Sequence, residues 1–298
     1  MKAYLRAPAI LVLWLTGATL YAQSYDISGS LNWDSMEIEI QVSLDLASAG
    51  IRLPTGRSRA EELLDMGYAS MSQSSILSIL IDSSATLGEK IGRGEISVQE
   101  AASLAASARK IPPTLSQDMS RISAAYTIDL SVLSSRLMKH SRPTEPLRPL
   151  SPVPGAAYTG IIIIANRELP IHGRAASTLV RPCLFPRIWD SDMTLIYEKT
   201  SLDPDIARSA GTMMVRYVPV TSILSSTPSG LEPGLAALVG NNPLRIMARG
   251  VFGVYTTDPV IDREDALLLL SIEETQRHLR EGRVAIVLDD SVLRAPFK

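Results

Sequence analysis

The one thiol of the chain sits in Arg181-Pro182-Cys183-Leu184-Phe185-Pro186-Arg187, and it is the residue best suited to nucleophilic chemistry. A cysteine nucleophile needs a base to take its proton and positive charge to hold the thiolate. His172 across a loop is the candidate base, and Arg181 and Arg187 supply the charge. The competing reading is a small apolar side chain packed beside Leu184 and Phe185, because free cysteine is among the most buried residue types. The three histidines, His140, His172 and His278, lie far apart, with no pair one helical turn apart of the kind that holds zinc. No metal and no cofactor is expected.

Other chemistry-bearing residues read as structural. No Gly-x-Ser-x-Gly elbow is present among the serines. Asp258, Asp262, Glu264 and Asp265 lack the central glycine and alternate ligand positions of a calcium loop. Asp262 is instead expected to cap a helix whose first turn carries Glu264 and Asp265. Asp190 and Asp192 read as hairpin-turn residues, and Asp289-Asp290 as a strand end facing water. Arg174, Arg181 and Arg187 form a modest positive patch, a solvated face or a contact for anionic cell-wall or lipid groups.

Composition narrows the function classes. The 298 residues are 46% hydrophobic and 20% charged, enough for a sizeable core. With 29 Lys+Arg against 31 Asp+Glu and 5% aromatics, neither phosphate neutralisation nor base stacking is provided for, so no nucleic-acid partner is expected. A single cysteine excludes an intramolecular disulfide. Lys2 and Arg6 precede an apolar run from Ala7 to Leu20, shorter than the roughly 20 residues a membrane-crossing helix needs. Residues 1–22 are therefore read as a signal peptide with Ala22-Gln23 as the cleavage point; cleavage after Ala18, or a retained anchor, are the alternatives. No transmembrane span is expected after it, and the expected location is the periplasm, with the outer membrane or flagellar basal body as places of association.

The elements that must position these residues follow from periodicity. Met36, Ile38, Ile40, Val42, Leu44 and Leu46 alternate with polar residues, a half-buried strand, and Tyr25–Trp33 alternates ahead of a turn at Asn32–Ser35, making a hairpin. The apolar stripe from Arg57 to Met71 has helical spacing, while Ser74–Leu87 fits helix or strand. Ser97 and Glu100 make a capping box for an alanine-rich helix running to Arg109. Tyr126, Ile128, Leu130 and Val132 predict another strand. Five prolines within 140–157 exclude helix and central strand, so that stretch is read as a linker.

Beyond it, Ile161–Ile164 reads as a strand buried on both faces. A hairpin is expected over Ile188–Tyr197, a strand over Met213–Val220, and another segment from Leu244 after the turn at 240–243. One helix is expected over Arg263–Leu279, and a last strand over Val284–Leu288. The fold class is α+β with a mainly antiparallel sheet. The organisation is a signal peptide (1–22), an N-terminal α+β region (23–139), the linker (140–157) and a C-terminal α+β envelope domain (158–298). The alternative of one sheet drawing strands from both sides of the linker stays open.

A resemblance supplements this reading. Tyr158-Thr159-Gly160 leads into the isoleucine strand, Pro186-Arg187-Ile188 opens a hairpin that closes at Tyr197, Asn242-Pro243-Leu244 precedes a strand, and Asp265-Ala266 opens a helix ending in Gly282-Arg283-Val284. In this order, over roughly residues 158–290, the chain resembles a family of small exported bacterial envelope proteins that includes the flagellar assembly lipoprotein P type. The N-terminal half matches through its strand and the Arg57–Glu61 region. The resemblance implies an α+β envelope domain without a catalytic site, which assembles with itself or with other envelope proteins; several members build rings or discs around the flagellar motor. Two departures stand out. No lipobox cysteine follows the apolar run, and Ile164-Ala165-Asn166 replaces the acidic residue expected at the end of the buried strand.

The expectation is thus a non-enzymatic exported envelope component that self-associates, with a flagellar accessory role among its forms. Met36–Leu46, taken as an edge strand, is the expected pairing surface. The rivals are a periplasmic thiol-dependent hydrolase built on Cys183 and a cell-wall binding module.

Overall fold

The alternating stripes at the start of the chain form the expected hairpin, β1 (Tyr25–Asn32) and β2 (Glu37–Asp45), paired antiparallel from Tyr25↔Leu44 to Asn32↔Glu37. The computed structural model describes residues 25–145, 149, 152–209 and 211–296; the signal-peptide expectation lies outside them. Asn32 shapes the turn, its Oδ1 accepting the amide of Asp34 at 3.0 Å. All six apolar side chains from Met36 to Leu46 are buried, each contributing roughly 1.5–3 kcal/mol before entropy is subtracted.

α1 (Arg57–Leu77) lays Ala60, Leu63 and Leu64 on that sheet. It runs past Met71, and the serines of its second half turn their hydroxyls back on their own helix: Ser70, Ser72 and Ser74 each donate to the carbonyl three residues earlier. The remainder of the ambiguous segment becomes β3 (Leu80–Asp82) and β4 (Ala85–Thr86). α2 (Leu87–Gly92) and α3 (Val98–Ala106) follow, each opened by a capping box, Thr86 with Glu89 and Ser97 with Glu100. The alanine-rich helix stops short of Arg109, which with Lys110 forms β5; β6 (Thr114–Leu115) and β7 (Arg121–Asp129) complete the first sheet. Leu130 and Val132 leave the strand pattern because Asp129 caps α4 (Leu130–Leu137), its carboxylate accepting the Ser131 amide at 2.8 Å.

In the C-terminal half, β8 (Ile161–Ile164), β9 (Leu169–Pro170), β10 (Ser177–Thr178), β11 (Ile188–Asp190) and β12 (Leu195–Tyr197) lead to α5 (Pro204–Arg208). Then come β13 (Arg216–Pro219), α6 (Pro233–Val239), β14 (Leu244–Met247), β15 (Gly250–Phe252) and β16 (Asp258–Ile261). α7 (Arg263–Ser271), α8 (Glu273–Arg280), β17 (Val284–Leu288), α9 (Asp290–Leu293) and β18 (Arg294–Pro296) finish the described chain. The single helix expected over Arg263–Leu279 is broken at Ile272, which is extended. Thr275 Oγ1 and Gln276 Nε2 hydrogen-bond the carbonyls of Leu269 and Leu270, the acceptors a continuous helix would use for its own amides.

The fold is α+β with mainly antiparallel pairings. The parallel pairings are those of β11 with β16 and of a four-stranded sheet ordered β13-β17-β8-β14, in which the unbroken isoleucine strand lies inside. Ile162, Val218 and Val287 face α6 on one side, and Ile161, Ile163 and Ile286 face the main core on the other. A further sheet runs β12-β11-β16-β15.

The two halves are interlocked. β18 pairs with β1 antiparallel, so the first sheet, β18-β1-β2-β7-β5, does draw a strand from beyond the linker. β2 is consequently internal, held by β1 on one side and β7 on the other. That corrects the expectation of Met36–Leu46 as an exposed pairing edge. Leu184 and Phe185 donate their amides to the carbonyls of Leu80 and Ile81 at 2.9 and 2.8 Å, and Trp33 meets Tyr217 edge-on at 5.9 Å. The described parts of the proline-rich stretch contain neither helix nor strand.

Candidate functional site

Cys183 is the natural first test, and its surroundings are those of a packed core thiol. The residue is fully buried. Its amide donates to Tyr217 Oη at 3.1 Å, and that hydroxyl donates to the Cys183 carbonyl at 2.8 Å. Burial pushes the thiol up, and the neighbouring Asp258 carboxylate pushes it further. A nucleophilic cysteine needs the reverse. His172 is engaged elsewhere, its ring edge-on to Phe252 at 6.0 Å.

Asp258 is the polar centre of this region. It is completely buried and accepts the Arg187 amide at 3.1 Å, Trp189 Nε1 at 3.2 Å and Thr257 Oγ1 at 3.0 Å. Burial lifts its pKa above the ordinary carboxylate value, against the pull of these donors. Asp258 fastens the start of β11 to β16. Asp262 makes no cap hydrogen bond with its side chain; it accepts Arg249 Nε at 2.7 Å instead. Asp190 behaves as a turn residue, its carboxylate accepting the amides of Asp192 and Thr194 at 3.0 and 2.7 Å. Arg187 is drawn toward Glu198 at 3.7 Å, which neutralises part of the positive patch.

The other histidines serve separate joints. His140 Nε2 lies 2.8 Å from the Leu202 carbonyl, and His278 Nε2 lies 3.0 Å from the Tyr158 carbonyl. Among the described residues no three His, Cys, Asp or Glu side chains gather as metal ligands would.

Of the motif residues, five converge. Thr159 donates its amide to the Asn242 carbonyl at 3.1 Å and its hydroxyl to the Val239 carbonyl at 2.8 Å. Asn242 returns its amide to Thr159 Oγ1 at 3.0 Å and its Nδ2 to the Ala157 carbonyl at 3.4 Å. A Cβ on Gly160 would lie 2.6 Å from the Val239 backbone, and Gly240 has a φ of +73° with its Hα directed at Thr159, so both positions require glycine. Thr159 thereby latches onto Asn242, setting Tyr158-Thr159-Gly160 beside Asn242-Pro243 at the entry to β8 and β14 and fixing the start of β14. Pro186, Arg187 and Tyr197 belong to the separate β11–β12 hairpin, where the buried Tyr197 hydroxyl donates to the Met214 carbonyl at 2.9 Å. Asp265 stands apart on α7, its carboxyl raised by burial and by Asp262 beside it.

Three surface features were not anticipated. A cleft of about 560 Å³ lies between the halves, lined by Asp34, Asp129, Arg216 and Glu281. Burial raises Asp34 there, with Arg216 pulling the other way. A groove of about 570 Å³ runs between α1, α2 and α3, lined by Tyr68, Ile76, Leu77, Ile91, Val98 and Ala105. No charged residue lines it. Its signal in the sequence was the run of alanines at 101, 102, 105 and 106, whose small side chains leave space unfilled along α3. Tyr68 holds the groove wall, its hydroxyl donating to the Ala105 carbonyl at 2.6 Å while its ring stacks on Tyr126 at 4.2 Å. The third feature is β14, which has β8 on one side and, among the described residues, no strand on the other. Among the described residues no helix is long and apolar enough to cross a membrane.

Comparison with known proteins adds an organisation. No curated protein matches the chain. Residues 24–136 match the family model described as Treponema pallidum Tp0624, N-terminal domain. Residues 160–290 match the one described as Treponema pallidum Tp0624, second domain. The two matched spans flank the proline-rich stretch, and the likeness to the flagellar assembly lipoprotein P type rests on the turn and strand motifs alone. The chain is thus similar, in the same order, to two domains of one Treponema pallidum protein.

Proposed function

We propose that this chain is an exported, non-enzymatic envelope component that works by associating with copies of itself or with other envelope proteins. The observation that carries the reading is the deployment of its reactive side chains. Cys183, Asp258 and Tyr217 are spent on fastening buried segments together, while what faces outward is an uncharged groove and an unpaired strand edge. Periplasmic placement is supported by the positively flanked apolar run at residues 7–20.

Fractionation of native envelopes after mild detergent tests this. The endogenous protein is expected to pellet with envelope material and to elute in a large complex. Recovery as a free monomer, in the soluble fraction and without envelope partners, removes the basis of the proposal.

A further inference from the structure

We infer that a second copy of this chain docks on the outer edge of β14, the two strands pairing antiparallel about Ile246 and joining two four-stranded sheets into one. This deepens the association reading and rests on it.

The hydrogen-bond ladder decides which groups are available. β14 runs parallel to β8 in the register Leu244↔Ile161 to Met247↔Ile164. The amides of Leu244 and Ala248 donate to the carbonyls of Gly160 and Ile164, each at 2.9 Å. In a parallel pair alternate residues direct both main-chain groups to the same neighbour. Residues 244, 246 and 248 therefore spend theirs on β8, and Arg245 and Met247 present N–H and C=O outward. Among the described residues no hydrogen bond reaches the main chain of either. An unpaired edge of this kind recognises another extended backbone.

The spacing suits a second copy. Two outward residues separated by one inward residue are self-complementary under two-fold symmetry. Arg245 of one copy falls opposite Met247 of the other, and Met247 opposite Arg245, giving about four main-chain hydrogen bonds. Ile246 then faces its own copy. No like charges meet directly: Arg245, the only charge in the strand, lies across from a methionine, and its guanidinium is drawn aside by the Ser229 carbonyl at 3.1 Å. Met247 is 37% exposed and offers an apolar surface for the arginine stem to cover. The next charge, Arg249, falls opposite Pro243 and is paired with Asp262 at 2.7 Å.

Three other sheet edges are ill suited to such pairing. β5 is two basic residues followed by Pro112-Pro113, and β18 ends at Pro296. β13 ends at Pro219 and lies against α9. β14 has neither proline nor bulge, and the Thr159–Asn242 latch fixes its start, so little ordering is needed on docking.

Sedimentation velocity of the full chain over a wide concentration range provides the test. The expected result is a monomer–dimer equilibrium that Met247→Pro weakens by roughly tenfold or more, with an unchanged melting midpoint at dilutions where both chains are monomers, because the proline removes an N–H that β8 does not use. Amide exchange in the wild-type chain gives a readout free of substitution: Arg245 and Met247 are expected to slow as concentration rises. A monomer at every concentration, a Met247→Pro dimer as tight as wild type, or concentration-independent exchange at both amides overturns the inference. A monomer that still co-fractionates with envelope material overturns it while leaving the association reading with other proteins as partners. A monomer free of the envelope removes both.

Discussion

Thr159 and Asn242 are bound to each other twice, amide to carbonyl at 3.1 Å and amide to hydroxyl at 3.0 Å, although 83 residues separate them in sequence. That pair sets where β14 begins beside β8, and so places the strand whose outer edge is free. Thr159→Val keeps the shape and removes the hydroxyl that Val239 and Asn242 both use. It is expected to lower stability by about 1–2 kcal/mol in urea unfolding, whereas Thr159→Ser stays within about 0.5 kcal/mol.

Glycines on either side of the latch behave differently from one elsewhere. Gly160→Ala drives a Cβ to 2.6 Å from the Val239 backbone, which cannot withdraw as a side-chain tip could. A loss of about 2–3 kcal/mol or more is expected. Gly92→Ala, at the end of α2 with open space around it, should leave the melting midpoint level or slightly raised. Equal effects at the two positions in a thermal melt contradict the latch geometry.

The buried thiol has a kinetic signature. Cys183 is sealed beneath Tyr217 and raised by burial, so a thiol reagent reaches it only when the surrounding structure opens. Labelling of the native protein is expected to follow unfolding, slowing or quickening with denaturant as unfolding does. Rapid labelling in buffer instead indicates an accessible thiolate and restores the hydrolase reading.

Acid stability should report the junction near β3. Asp82 is taken out of water, which alone raises its pKa, but hydrogen bonds from Ser84 and from Lys90, 2.9 Å away, prevail and hold it below the ordinary 3.8. A depressed carboxylate contributes stability that is fully present above its unfolded value and is lost as pH falls through the folded one. Asp82→Asn is expected to cost about 1–2 kcal/mol at pH 7 and to flatten the acid limb of the stability curve below about pH 4. Chemical denaturation at several pH values checks both.

Much of this architecture was legible where one local rule acted alone. Six alternating apolar residues can bury one face only as a strand, and β2 does so; Ser97 and Glu100 cap α3 because both groups lie within one turn. Legibility failed where two rules competed or where pairing was settled at long range. The apolar spacing of Arg263–Leu279 is helical throughout, yet Thr275 and Gln276 take the carbonyls that continuity requires. β2 has the composition of an edge strand, and only the arrival of β7 makes it internal. Cys183 could not be assigned from its neighbours in sequence, because the residues that seal it, Tyr217 and Asp258, come from β13 and β16.

The pairing of β18 with β1 has a consequence for the order in which the molecule is finished. The first described strand receives its outer neighbour from residues 294–296, made only after the linker and the whole of the C-terminal sheets. Until then the backbone flank of Ser30–Asn32 waits unpaired, and Trp33 lacks the Leu293 carbonyl that its amide donates to at 2.9 Å. The first sheet is thus complete only once residues 294–296 are in place, and a loss at β18 shows itself as a defect at β1.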